Sequence, residues 1–327
     1  MFISIVSPFF NESLILEKSV ELMISNLSTL QHEWEFIIVN DGSSDNSLEI
    51  AQSLAEKYRN NLRLISYPIN KGRGYALKQG IDAANGDIIV TTEVDSSWGD
   101  TIVRDLVGVW DNDPGVDIVV ASPHMPGGGY KNVPRKRVLL SGWGNVFIRF
   151  LVSKKITMFT GMTRAYRAEV IKNLPVMEKE KEFHLEVVLK AISFGYRITE
   201  IPCVLEWKDY NLQDKDRKKE KRKSSSNISK LISTHVLFGI LARPVRYLWG
   251  ASLGLAGAGI LFLIWAIVQL LIGQVAIFLA LTAALLLIIS ILFFIFGVLS
   301  TQNSIVQKEL WKVQQDICLL SRELPKK

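Results

Sequence analysis

The sequence predicts an α/β fold: a mostly parallel central sheet covered by helices, then two C-terminal transmembrane helices and a short C-terminal helix. Three observations carry this. Short apolar runs alternate with helical patterns from Phe2 to Ser122, the rhythm of a sheet built from strand–helix–strand units. No Lys, Arg, Asp, Glu or His occurs between Arg246 and Lys308, enough for two spans of about 20 residues each. The mean hydropathy of +0.21 is high for a chain with 21% charged residues, so apolar residues are concentrated in one region.

The strands are expected at Ile3 to Ser7, Glu35 to Asn40, Leu62 to Ser66, Asp87 to Thr92 and Asp117 to Ala121. Between them, Leu14 to Leu30, Asn46 to Tyr58, Gly74 to Ala84 and Thr101 to Trp110 place apolar residues at helical spacing, with Ser13 and Asp45 available as N-caps. From Pro123 to Ile201 the pattern is less regular. Lys208 to Lys230 is a charged linker, solvated or lying against anionic lipid, and Ile228 to Leu241 suits an amphipathic helix on a membrane surface.

The first span is expected at Tyr247 to Ile272, with reversal at Gly273 and Gln274, and the second at Val275 to Leu299. Gly250, Gly254, Gly257 and Gly259 point to close packing against the partner helix. Arg243 and Arg246 flank one outer end and Lys308 and Lys312 the other, so both ends are expected in the cytoplasm. Beyond the second span, Val306, Leu310, Val313, Ile317, Leu320 and Leu324 form a heptad seam, suited to packing on the protein itself or to self-association. The expected division is therefore 1–207, a cytoplasmic domain; 208–246, a basic linker; 247–299, two spans; and 300–327, a cytoplasmic helix.

A net charge of +6 and 48% hydrophobic content exclude a disordered or fibrous chain. The two cysteines, Cys203 and Cys318, are too few and too far apart for a disulfide framework or a metal cluster. The first residues lack the basic flank and long apolar stretch of a secretory signal, which again predicts a cytoplasmic body.

In open parallel sheets ligands sit beyond the carboxyl ends of the strands, and four strings stand there. Pro8-Phe9-Phe10-Asn11-Glu12 follows the first strand; alone, it reads first as a helix cap. Asn40-Asp41-Gly42-Ser43-Ser44-Asp45 follows the second and alone is a turn signal, although Asp41 can accept a hydrogen bond from a nucleobase. Asn70-Lys71-Gly72-Arg73-Gly74 follows the third and opens a helix, supplying backbone amides and two cations suited to a diphosphate. Glu93-Val94-Asp95 follows the fourth, where two carboxylates one residue apart can hold a hard divalent cation against a diphosphate.

Together with Thr160 to Arg167 and Gly195 to Pro202, these strings resemble the family-2 glycosyltransferases of the A fold, in the branch of dolichyl-phosphate mannose synthases and bactoprenol glucosyltransferases. The resemblance covers residues 2 to 207. It implies transfer of a sugar from a nucleotide donor, UDP-glucose-like or GDP-mannose, to polyprenyl phosphate, with inversion at the anomeric carbon. It assigns Pro8, Phe10, Glu12 and Asp41 to the nucleoside, and Lys71 and Arg73 to its phosphates. Glu93 and Asp95 would bind Mg²⁺ or Mn²⁺, and Arg137 and Ser141, joined by Arg222 or Lys223, would grip the acceptor phosphate. Membrane lipid, from the spans and the basic linker, and a second copy of the chain, from the heptad seam, are the other expected partners; nucleic acid is not.

Four departures from the family pattern keep alternatives open. The usual Asp-X-Asp is Glu93-Val94-Asp95, a Gln is replaced by Ser97, Pro123 or His124 stands at an acceptor Arg, and Thr157 stands at an Asp. A transferase acting on another lipid, or a catalytically weak membrane scaffold that binds nucleotide-sugar, is the competing reading. His184 and Glu186 suit either a helix face on the site or one on solvent. Trp98, Trp143 and Trp207 are assigned to core packing by default, with sugar stacking or a place at the membrane surface as the alternatives.

Overall fold

A computed structural model describes residues 1–134, 138–139, 142, 145, 156–176, 183–207 and 244–323. The chain divides into two compact units, one containing the sheet and the other containing the C-terminal helices.

The first unit begins with β1 (Phe2–Phe9), α1 (Leu16–Leu27), β2 (Glu33–Asp41), α2 (Ser47–Lys57), β3 (Leu62–Tyr67), α3 (Arg73–Ala83) and β4 (Ile88–Thr91). It continues with α4 (Ile102–Val107), α5 (Val109–Asn112), β5 (Ile118–Ser122), β6 (Gly129–Lys131), β7 (Arg164–Arg167), α6 (Ala168–Asn173), α7 (Phe183–Phe194), β8 (Ile198–Pro202) and β9 (Val204–Glu206). Seven strands form the central sheet in the order β3-β2-β1-β4-β7-β5-β8, and β6 and β9 form a parallel ribbon. All pairings in the central sheet are parallel except those of β7, which runs antiparallel to both β4 and β5.

Successive residues Ile3 to Ser7 and Glu35 to Asp41 are buried, so both sheet faces are covered, as continuous apolar runs rather than alternating ones require. The five expected strands and the first three helices form within two or three residues of their expected bounds. The helix expected at Thr101 to Trp110 is instead two short pieces meeting at Gly108. Ser13 is not an N-cap: α1 starts after Ile15, and the Ser13 N–H donates to Asp45 Oδ2 at 3.2 Å.

At the amino end of the sheet, the buried Glu35 carboxylate accepts from Ser4 Oγ (2.6 Å), Asn85 N (2.6 Å) and Arg63 (2.7 Å). Burial pushes its pKa up, but these donors outweigh it, and the net direction is down from 4.5. α3 lies against β1 and β2 at Gly80, where a Cβ would sit 2.3 Å from Val6 Cγ1.

The second unit, Asn227–Ile317, holds α8 (Pro244–Leu271) and α9 (Ile277–Glu323) as far as Ile317, and Tyr247–Leu271 and Ile277–Asn303 are long and apolar enough to cross a membrane. The expected separate C-terminal helix is the uninterrupted continuation of α9, 47 residues in all. The two helices are clasped by reciprocal serine bonds, Ser290 Oγ to Ser252 O at 2.8 Å and Ser252 Oγ to Ser290 O at 3.0 Å. Of the four glycines expected at this contact, only Gly259 meets the partner helix, at Leu287 and Ala283. Gly250, Gly254 and Gly257 have nothing within 4 Å of a built Cβ.

Two outcomes follow for stability. Gly80→Ala is expected to destabilise by about 1–3 kcal/mol through overpacking, measured by denaturant unfolding. Because the folded Glu35 pKa is depressed, its contribution is present above 4.5 and is lost as pH falls through the lowered value. Between pH 5 and pH 3 the wild-type Tm should therefore fall more steeply than that of Glu35→Gln, in scanning calorimetry.

Candidate active site

The carboxyl ends of β1, β2, β3 and β4 bring the four expected strings to one edge of the sheet. The first two are laced together: Asn11 N donates to Ser43 Oγ (3.0 Å), Ser44 N to Asn11 Oδ1 (2.8 Å), and Glu12 N to Ser47 Oγ (2.9 Å). Asp45 completes the seam by accepting from Ser47 N at 3.1 Å as well as from Ser13. Asn11 adopts a φ of +55°, a left-handed conformation that Asn tolerates. Pro8 and Glu12 are half-buried and Phe10 is 44% exposed, so this string presents an apolar ring to solvent at the edge of the cleft.

Asp41 is buried at the end of β2 and organises the third string. Its Oδ1 accepts from the Tyr67 hydroxyl at 2.8 Å and Lys71 N at 2.9 Å, and its Oδ2 from Gly72 N at 3.1 Å. Burial first, then the Asp41 charge, pushes the Tyr67 pKa well up, so its hydroxyl remains a donor. The approach of the loop requires Gly42, with φ +66°: a Cβ there would lie 2.4 Å from Asn70 N. The Lys71 ammonium sits over the Tyr75 ring at 4.7 Å and bonds its hydroxyl at 3.3 Å. Tyr67 and Tyr75 meet edge to face at 5.4 Å. The exposed Lys71 is thus held by two aromatic rings that the motif reading did not single out.

Arg73 opens α3 and reaches across to Glu93 Oε1 at 3.7 Å. Glu93 Oε2 accepts from Ser97 Oγ and Trp98 Nε1, both at 3.0 Å, and Asp95 Oδ1 from Ser97 N at 3.1 Å. The loop turns tightly, with Ser96 at φ +51°. Desolvation, then the Asp95 charge, raises the Glu93 pKa against the pull of Arg73. A like-charge pair of this kind is relieved by a cation. Among the described residues no third His, Cys, Asp or Glu joins the pair, which fits Mg²⁺ or Mn²⁺ taking its remaining ligands from substrate phosphates and water. Trp98 is therefore core packing with a polar duty, and Ser97 braces both carboxylates.

The departure at Thr157 is built into a second network. Its N–H and hydroxyl both donate to Glu200 Oε2 at 2.8 Å, and Met158 N donates to Oε1 at 2.8 Å. A carboxylate thus stands beside Thr157, supplied by β8. His184 is not on solvent: it is fully buried, and burial, then the charges of Arg73 and Arg164, hold its pKa well below the usual value. Glu186 pairs with Lys190 at 2.7 Å. Burial pushes the Cys203 thiol up to about 12, which makes it unreactive. Arg137, Ser141, Arg222, Lys223, Trp143, the linker up to residue 243 and the juxtamembrane helix lie outside the described residues, and Pro244 to Arg246 belong to α8.

A mostly parallel, doubly covered sheet thus carries a cationic loop and an opposed acidic pair at the carboxyl ends of its strands, and the family match shows which class of enzyme this is, a glycosyltransferase. Residues 4–174 match Glycosyl transferase family 2, and the chain belongs to that family. It is 24% identical over 248 residues to polyprenol monophosphomannose synthase of Mycolicibacterium smegmatis, covering 74% of this chain and 88% of the relative. It is 26% identical over 216 residues to undecaprenyl-phosphate 4-deoxy-4-formamido-L-arabinose transferase of Proteus mirabilis, covering 64% of this chain and 61% of the relative. Among solved structures, the fold is shared with glucosyl-3-phosphoglycerate synthase from Mycobacterium tuberculosis in complex with uridine-diphosphate, at TM-score 0.51 and 20% identity over 72% of this chain and 80% of that one.

Replacing Asp41 by Ala removes the shared acceptor of Tyr67, Lys71 and Gly72. Nucleoside diphosphate binding, followed by calorimetry, should weaken by about tenfold or more, while circular dichroism of the sheet is retained.

Proposed function

We propose that the chain transfers a hexose from a nucleoside diphosphate-sugar to polyprenyl phosphate at the cytoplasmic membrane face, with inversion, giving a polyprenyl-phosphate monosaccharide. The observation that carries this reading is the Lys71–Arg73 loop facing the Glu93–Asp95 loop at 3.7 Å, in a chain with two membrane-length helices. The names of both curated relatives support a polyprenyl-type phosphate acceptor.

Pro8, Phe10, Glu12 and Asp41 bound the nucleoside side of the cleft, Asp41 acting through the loop it holds. An acceptor phosphate oxygen forms the new bond to the anomeric carbon as the bond from that carbon to the donor's β-phosphate oxygen breaks. The acceptor is already anionic, so no strong general base is needed. The charge that develops on the departing diphosphate meets Lys71, Arg73 and the amides opening α3. A Mg²⁺ or Mn²⁺ held by Glu93 and Asp95 supplies further neutralisation of the diphosphate. Arg137 and Ser141, with Arg222 or Lys223, take the acceptor phosphate in this reading. Basic residues at Arg243, Arg246, Lys308 and Lys312 support cytoplasmic placement of both outer ends.

Purified protein with Mn²⁺ or Mg²⁺, undecaprenyl phosphate and a panel of UDP- and GDP-sugars should yield a lipid one hexose heavier, by mass spectrometry, with a single preferred donor. Asp95→Asn or chelation of the cation should reduce product formation by about 100-fold or more. Absence of any lipid product with nucleotide binding intact would move the reading to another acceptor or to the scaffold.

A further inference from the structure

A polar cluster at the same end of the sheet has no part in the chemistry above. After β5 ends at Ser122, the chain turns through His124 towards β6. His124 Nε2 lies 3.1 Å from the Tyr130 hydroxyl and 3.5 Å from Asn145 Nδ2, and the His124 and Tyr130 rings meet edge to face at 5.6 Å. Asn145 is 3% exposed, and its Oδ1 accepts from Phe159 N at 2.8 Å, which turns its NH₂ towards the imidazole. An NH₂ group only donates, so Nε2 is assigned as the acceptor nitrogen and the proton lies on Nδ1. Among the described residues Nδ1–H has no partner, and the ring is half-buried rather than enclosed.

The surroundings select what this donor can meet. His124 N donates to Ser122 Oγ at 3.2 Å, Ser122 Oγ lies 2.6 Å from Thr157 Oγ1, and Thr157 Oγ1 donates to Glu200 Oε2 at 2.8 Å. Because the Thr157 proton is directed to Glu200, the Ser122 hydroxyl is the donor in the middle step. Burial holds the His124 pKa down against the pull of Glu200, so the ring is neutral. A neutral N–H beside a tyrosine and near a carboxylate is a poor anion site and suits a neutral hydroxyl group. The cluster is also tied to the acidic loop: Tyr130 pairs with Leu205, and the next residue, Glu206, donates its N–H to Ser97 O at 2.8 Å.

We propose that His124, oriented by Tyr130 and Asn145, donates its Nδ1–H to a hydroxyl of the sugar carried by the nucleotide donor and so contributes to sugar specificity. This inference rests on the reading of the chain as a nucleotide-sugar transferase.

The test is calorimetric binding to the full chain in detergent, comparing UDP-glucose with UDP and GDP-mannose with GDP. In His124→Asn the amide NH₂ stands near the lost Nδ1, whereas in His124→Gln it stands near Nε2. His124→Gln should weaken the preferred sugar nucleotide by about tenfold, leave the free nucleoside diphosphate unchanged, and be rescued in part by His124→Asn. Equal losses for both nucleotides, no loss in either, or a wild type that binds the sugar nucleotide no better than the diphosphate would each overturn the proposal. So would unchanged donor binding with a raised KM for undecaprenyl phosphate, which would make His124 an acceptor contact. Binding is read without acceptor, so a wild type that discriminates the sugar but makes no lipid product would sink the acceptor reading and leave this comparison standing.

Discussion

The site depends on one buried carboxylate. Asp41 stands where β2 stops pairing, and it replaces the lost sheet partners by accepting from a tyrosine hydroxyl and two consecutive backbone amides of the β3–α3 loop. Charge-assisted bonds of this kind are stronger than neutral ones. They set the start of α3, and with it the positions of Lys71 and Arg73. Because Gly42 permits the loop to press against β2, the cationic string and the strings that follow β1 and β2 become neighbours. Arg73 then spans the cleft to Glu93.

The departures from the family pattern are structurally compensated in two places. Ser97 is too short to reach far, yet its hydroxyl and amide hold Glu93 and Asp95 in place, with Trp98 sharing the work. Thr157 has no charge of its own, but Glu200 brings a carboxylate to it from the neighbouring strand. Neither arrangement resembles a site decaying by loss of its partners, which weighs against the scaffold reading.

Much of this was legible in the sequence because parallel strands buried on both faces are uninterrupted apolar runs. Ile3 to Ser7 and Glu35 to Asn40 announce themselves by composition, and the strings after them stand out by position, whereas their roles come from the family resemblance. β7 was not, because its residues are Arg-Ala-Tyr-Arg and its partners are distant in sequence. Arg164 and Tyr166 are nevertheless fully buried there, Arg164 donating to the carbonyls of His184 and Phe159. Hydropathy carries no trace of a buried guanidinium whose two terminal nitrogens are met by backbone oxygens. The roles of Tyr67, Tyr75 and Asn145 were equally hidden, since each is defined by a contact across the fold. The glycines of α8 misled in the other direction: their spacing suits a close helix contact, but Ser252 and Ser290 set the register and only Gly259 lies in it.

The continuity of α9 has a mechanical consequence. The helix runs without interruption from Ile277 through Asn303 to Glu323, so about 30 Å of it extends past the apolar stretch at 1.5 Å per residue. A span longer than the local hydrocarbon thickness tilts to fit. With no hinge at the interface, that tilt is carried to the far end of the extension. If Ile277–Asn303 crosses a bilayer, its thickness would set the angle at which the backbone of residues 304–323 emerges, giving lipid composition a lever on that end of the helix.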